Sequence, residues 1–148
     1  RLNGHLIRTI FRDVAHPEII THPDEKILAK EPVVIAAGWR PGWSTDYDAV
    51  LIAKNLGARQ VINITNTNYV YDKDPNENGD AKPIKTISWA DFRKLVGDEW
   101  NPKLRAPFDP IASREAQKLG MKVIITGKDL KNLELVIKDR DFDGTLIS

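Results

Sequence analysis

Apolar positions along the chain recur in two rhythms. Leu2, Leu6, Ile7, Ile10 and Phe11 fall three or four residues apart, the period of one helical face, and predict an opening helix to about Arg12. Ala49, Val50, Ala53 and Leu56 repeat that period and predict a helix over about 45–56, ended by Gly57. Unbroken apolar runs read instead as buried strands: Val33 to Ala37, Gln60 to Ile64 and Lys122 to Thr126. Tyr69 to Tyr71 and Gly144 to Ile147 predict shorter extended pieces. Polar start signals mark three more helices. Ser88 with Asp91 three residues on, Asp109 followed by Pro110, and Asp129 are the expected N-caps, with ends near Val96, Gly120 and Ile137. Residues 13–31, 72–82 and 97–108 read as loops, the first punctuated by His16-Pro17, His22-Pro23 and Glu31-Pro32. Strands alternating with helices predict an α/β fold, a three-layer α/β/α sandwich with a mainly parallel sheet. In such sheets ligands sit beyond the C-terminal ends of the strands, which selects the loops 38–45 and 65–74.

Composition removes several kinds of chemistry. The 148 residues are 41% hydrophobic and 29% charged, with Lys+Arg 22 against Asp+Glu 21. A net charge of +1 gives no field that would hold nucleic acid or an anionic membrane. The absence of cysteine excludes structural disulfides, thiolate zinc sites and cysteine nucleophiles, and fits a cytoplasmic protein. No apolar run approaches the ~18 residues that span a bilayer, so no membrane partner is expected. His5, His16 and His22 lack metal-ligand spacing, and no protein-held metal is expected. The chain opens on Arg1 inside a helical pattern and is read as a piece of a longer one.

The first selected loop is Gly38-Trp39-Arg40-Pro41-Gly42-Trp43-Ser44-Thr45-Asp46, between a buried strand and a helix. Glycines allow close backbone approach, and the first-turn N–H groups favour an anion. Ser44 and Thr45 add hydroxyls and Arg40 a charge, so the loop reads as a phosphate cradle. It also reads as a plain strand-to-helix turn, with Thr45 as N-cap and Asp48 three residues later. It is not a Walker A loop, since no Gly-Lys-Ser/Thr follows. The second loop runs from Thr65 and Asn66 to Tyr71, Asp72 and Asp74. Tyr71 could pack on a base, Asp74 could accept from ribose hydroxyls, and Asp72 with Asp74 could hold Mg²⁺ through water. The same residues also suit an Asx-rich turn, and spacing alone leaves both readings open.

At these loops the chain resembles uridylate (UMP) kinases of the amino-acid-kinase superfamily. The resemblance is carried by Pro41-Gly42 with Thr45-Asp46, by Thr65-Asn66, and by Val70-Tyr71-Asp72-Lys73-Asp74-Pro75. Asp80-Ala81-Lys82, Phe108-Asp109-Pro110-Ile111-Ala112, Gly144-Thr145-Leu146-Ile147 and the opening Arg1-Leu2-Asn3 extend it in order over nearly the whole chain. It implies that residues 1–148 are the C-terminal portion of one amino-acid-kinase domain. The implied reaction is transfer of the γ-phosphoryl group of ATP to UMP, with Mg²⁺ bridging phosphates. Trp39, Arg40, Pro41, Gly42, Trp43, Ser44 and Thr45 match the UMP site. Asp46 matches the aspartate beside the transferred group. Thr65, Asn66, Tyr71 and Asp74 match ATP contacts. A homo-oligomer, commonly a hexamer, is also implied.

Three positions depart from the family pattern. Tyr69 stands where Gly is usual, Asn68 where Asp is usual, and Trp43 is bulkier than its counterparts. The family's Gly-Gly-Ser strand with its lysine, and its Gly-Gly-Gly loop with an arginine, are missing, since no two glycines of this chain adjoin. The 148 residues alone are therefore expected to be inactive. The alternatives are another amino-acid-kinase-fold phosphotransferase and a non-catalytic nucleotide-binding module. Trp89 and Trp100 are expected in packing, Thr126-Gly127-Lys128 as a helix-entry turn, and 138–141 as a solvated turn.

Overall fold

The structure is a computed structural model and describes residues 2–97 and 106–148. Its contacts divide the chain into two compact units, Arg1–Ala58 and Arg59–Ser148.

In the first unit, helix α1 (Leu2–Ile10) carries the expected apolar stripe, yet none of its residues is buried. The run Val33 to Ala37, expected as a strand, makes only two isolated parallel bridges, Ala15 with Val33 and Ile20 with Ala36. Five steps on one side face three on the other, and Pro17 between the bridges has no N–H to donate, so no continuous ladder forms. Helix α2 (Thr45–Asn55) is capped by Ser44, whose Oγ accepts from the Tyr47 N–H at 3.2 Å. The cap therefore falls one residue before the Thr45 that the plain-turn reading implies. Asn55, at the far end of α2, holds the preceding loop. Its Nδ2 donates to the carbonyls of Pro23 and Glu25, and its Oδ1 accepts from the Ile27 N–H at 3.1 Å. Nearby, His16 Nδ1 lies 2.7 Å from Glu31 Oε2.

The second unit contains β1 (Gln60–Ile64), β2 (Val70–Tyr71), β3 (Pro83–Ile84), β4 (Thr86–Ile87), α3 (Trp89–Val96), α4 (Pro110–Lys118), β5 (Lys122–Thr126), α5 (Leu130–Ile137) and β6 (Thr145–Ile147). Four strands form a sheet in the order β1-β5-β6-β4. The β1–β5 and β4–β6 pairs are parallel and β5–β6 is antiparallel, so the α/β sheet is mainly parallel, as expected. The two-residue strands β2 and β3 form a separate antiparallel pair.

Val123, Ile125 and Ile147 are fully buried from the sheet, Phe92, Ala112 and Ala116 from the helices, and Phe108 just before α4. Trp89 takes the packing role expected of it. Its indole N–H donates to the Met121 carbonyl at 2.9 Å and its ring meets Phe92 edge-on. Trp100 lies outside the described residues. Asp109 caps α4 through the Ala112 N–H at 2.7 Å, and Asp129 caps α5 through the Lys131 N–H at 3.0 Å. Ser88 caps α3 through the Asp91 N–H at 3.1 Å, but the return contact differs from a reciprocal capping box. The Asp91 carboxylate accepts from the Ser88 hydroxyl at 2.8 Å rather than from its backbone. Lys94 and then Ser88 hold the Asp91 carboxyl below its ordinary range.

Candidate functional site

Loop 38–45 belongs to the first unit. The Trp43 N–H donates to the Arg40 carbonyl at 3.3 Å, closing a turn with Pro41 and Gly42 at its corners. Gly42 sits at φ +88°, the conformation that the third position of a type II turn demands and that a side chain would strain. Aromatic rings organise the remainder. Trp43 stacks on Tyr47 with centroids 4.7 Å apart, Trp39 lies 5.5 Å from Trp43, and the Arg40 guanidinium sits 4.0 Å from the Trp39 ring centre. That contact is a cation–π interaction between Arg40 and Trp39. Ser44 is the cap, Thr45 opens α2, and Asp46 lies half-buried in its first turn.

Asp48 fastens this loop to the helix, a role the sequence pattern does not assign to it. It is 5% exposed, and its Oδ2 accepts from the Trp39 N–H at 3.0 Å. Its Oδ1 is buried with no hydrogen-bond partner among the described residues.

The second unit holds a cavity of about 820 Å³ that brings Thr65, Asn66, Tyr71 and Asp74 together. It opens where β1 ends: the Thr65 N–H donates to the Thr126 carbonyl at 2.8 Å, carrying the β1–β5 pairing one step further. The cavity thus lies at the C-terminal edge of a parallel strand pair, where an α/β sheet is expected to take ligands. Thr65 Oγ1 and the Thr67 backbone exchange hydrogen bonds of 3.0 Å, and Thr67 Oγ1 donates to the Tyr69 carbonyl at 2.6 Å. Hydroxyls therefore set the loop's shape. Lys73, the cation of the lining among the described residues, pairs with Asp80 at 2.6 Å.

Four apolar wall residues, Leu95, Val96, Ala106 and Pro107, escape the sequence reading. They come from the end of α3 and the approach to α4, and no motif marks them.

Asp74 is a turn residue, whatever else it contacts. Its Oδ1 accepts from the Asn76 N–H at 2.9 Å and from Asn76 Nδ2 at 3.0 Å. Asp72 Oδ1 accepts from the Lys82 N–H at 2.8 Å. No group of three His, Cys, Asp or Glu side chains among the described residues is placed to hold a metal ion.

The model of the amino acid kinase family matches residues 3–127. The chain belongs to the amino acid kinase family. Among amino acid kinases it is 31% identical to the uridylate kinase of Sulfurisphaera tokodaii, covering 99% of this chain and 67% of that protein. It is 30% identical to the uridylate kinase of Pyrococcus abyssi with the same coverage. The crystal structure of the uridylate kinase from Archaeoglobus fulgidus superposes with a TM-score of 0.83 at 24% identity, covering 100% of this chain and 67% of that one. The chain thus spans about two thirds of the length of these amino acid kinases.

Proposed function

We propose that the chain carries the nucleotide cavity and the acceptor loop of a kinase that transfers the γ-phosphoryl group of ATP to UMP, giving ADP and UDP. The observation that carries this reading is the cavity at the end of β1, which gathers Thr65, Asn66, Tyr71 and Asp74. Uridylate kinases among its relatives support the choice of acceptor. In this reading the Tyr71 ring and the Pro107 wall take the adenine, since a flat heteroaromatic packs best on an aromatic or apolar face. Thr65 and Asn66 present polar groups to the nucleotide, and Asp74 offers its second carboxylate oxygen to the ribose hydroxyls.

On the acceptor side, the first-turn N–H groups of α2 favour a phosphate, and Arg40 adds the positive charge. Trp39 and Trp43 offer ring faces to the base, Pro41 and Gly42 turn the backbone toward it, and Ser44 and Thr45 contribute hydroxyls. Asp46 orients groups around the transferred phosphoryl. Catalysis of this kind rests on positioning and charge stabilisation. Mg²⁺ would supply positive charge to the phosphates of the bound nucleotides. Among the described residues no group of three His, Cys, Asp or Glu side chains is placed to hold it. A homo-oligomer in the cytoplasm completes the proposal.

Each loop is tested separately. Hydrogen-exchange protection by ATP should cover residues 65–76, and protection by UMP residues 38–48. A panel of UMP, CMP, aspartate and isopentenyl phosphate then discriminates the acceptor. ATP that protects nothing near the cavity, or UMP without effect where another acceptor works, would sink the reading. Without the glycine-rich segments, these 148 residues are expected to form no UDP in a coupled assay.

A further inference from the structure

Tyr69 stands at the rim of the cavity, between Thr65-Asn66 and Tyr71, at a position where the resembling family usually carries glycine. Tyr69 lines the cavity, and its hydroxyl donates to Asp143 Oδ1 at 2.7 Å elsewhere in the unit. Asp143 is itself firmly held. Its N–H donates to Asn132 Oδ1 at 2.7 Å, and its carbonyl accepts from Asn132 Nδ2 at 2.6 Å and Thr126 Oγ1 at 3.0 Å. Asn132 is 8% exposed and Thr126 fully buried, so the backbone of Asp143 is held by a buried network on β5 and α5 while its carboxylate is exposed.

The two neighbours of Tyr69 are pinned to the same edge. The Val70 N–H donates to the buried Thr145 Oγ1 at 2.8 Å. Asn68 packs so closely on Gly127 that a Cβ there would come within 1.9 Å of Asn68 Oδ1. Three consecutive residues of the loop are therefore fastened to the segment joining β5, α5 and β6.

We propose that the Tyr69–Asp143 bond is a strut that pre-sets the nucleotide loop, making Tyr69 a positioning residue for the bound ATP. The proposal rests on the nucleotide reading of the cavity. A loop held in its bound shape loses less conformational freedom when ligand enters, and the affinity rises accordingly. The aspartate acts through its side chain on Tyr69 and through its backbone on Asn132, so the two roles can be separated by substitution. The carboxylate beside the phenol also raises its ionisation above the ordinary tyrosine range, which provides an independent signal of the bond.

The test uses the 148-residue chain and its Tyr69→Phe, Asp143→Ala, double and Asp143→Asn variants. Calorimetry with ATP should show about three- to tenfold weaker binding for each of the first two, as expected for one exposed bond to a charged acceptor. The double variant should be no weaker than either single one, and Asp143→Asn, which keeps an acceptor oxygen, should recover part of the loss. The Val70 amide should exchange faster in Tyr69→Phe without nucleotide, at an unchanged melting temperature. Additive losses in the double variant, or exchange unaltered by Tyr69→Phe, would overturn the strut. An unmodified chain that binds no ATP while the Val70 exchange still responds would instead overturn the nucleotide reading and, with it, the positioning role.

Discussion

At the level of single residues, His16 shows how a plain surface reading gains content from a partner. The sequence shows a histidine before proline in a loop, and the structure places it 2.7 Å from Glu31, fifteen residues away. That bond holds the Glu31 carboxyl below its ordinary range. A depressed carboxyl stabilises the fold at pH values above its unfolded pKa, roughly 4.3, and loses that contribution as pH falls through the folded value. His16→Ala should therefore shift the Glu31 titration upward, as followed by NMR of the side-chain carboxyl; a titration that stays in place would exclude the pairing. The site residues divide on similar lines. Thr65, Asn66, Tyr71 and Asp74 stand close together in the sequence, and the chain folds them into one cavity. Asp48 and Tyr69 were not legible in this way, because their importance comes from the Trp39 N–H and the Asp143 carboxylate, contacts no local spacing announces.

At the level of elements, caps were the most readable feature, because a cap is a contact between residues two or three apart. Ser88, Asp109 and Asp129 each open a helix where the sequence places them. Asp109 is 6% exposed, so its loss leaves the Ala112 N–H without its side-chain acceptor in a buried setting. Asp109→Ala should cost about 1–2 kcal/mol in denaturant unfolding, and the exposed cap variant Ser88→Ala about half of that. Equal costs would mean that burial does not govern these caps. Strands were harder. The run Val33 to Ala37 is apolar enough for a strand but meets a partner interrupted by Pro17, while Thr86-Ile87 is too short to register as a strand and still pairs with β6. The β5 strand is hydrogen-bonded on both sides, so its amides should exchange more slowly than those of β2, which pairs on one side for two residues. Equal protection in the two strands would contradict this order.

For the whole molecule, the apolar stripe on α1 presents the clearest contrast between sequence and structure. Periodicity identifies the stripe, and a stripe normally marks the face that a helix buries. Here Leu2 is 83% exposed, Ile10 66% and Leu6 61%. Exposed apolar area of this kind promotes association. Leu6→Lys combined with Ile10→Lys should raise the soluble fraction in light scattering without lowering the melting temperature, since no residue of α1 is buried. A large fall in melting temperature would show that the face is packed in solution. The sequence by itself determined where helices start and stop, which runs are apolar, and which short motif supplies the cavity loop, because each of these depends on residues close along the chain. Only the tertiary structure decided the antiparallel entry of β6 beside β5, the apolar wall of Leu95, Val96, Ala106 and Pro107, and the fastening of Tyr69 to Asp143. Those features join residues far apart in the chain, and their energies exist only once the backbone has brought them within a few ångströms.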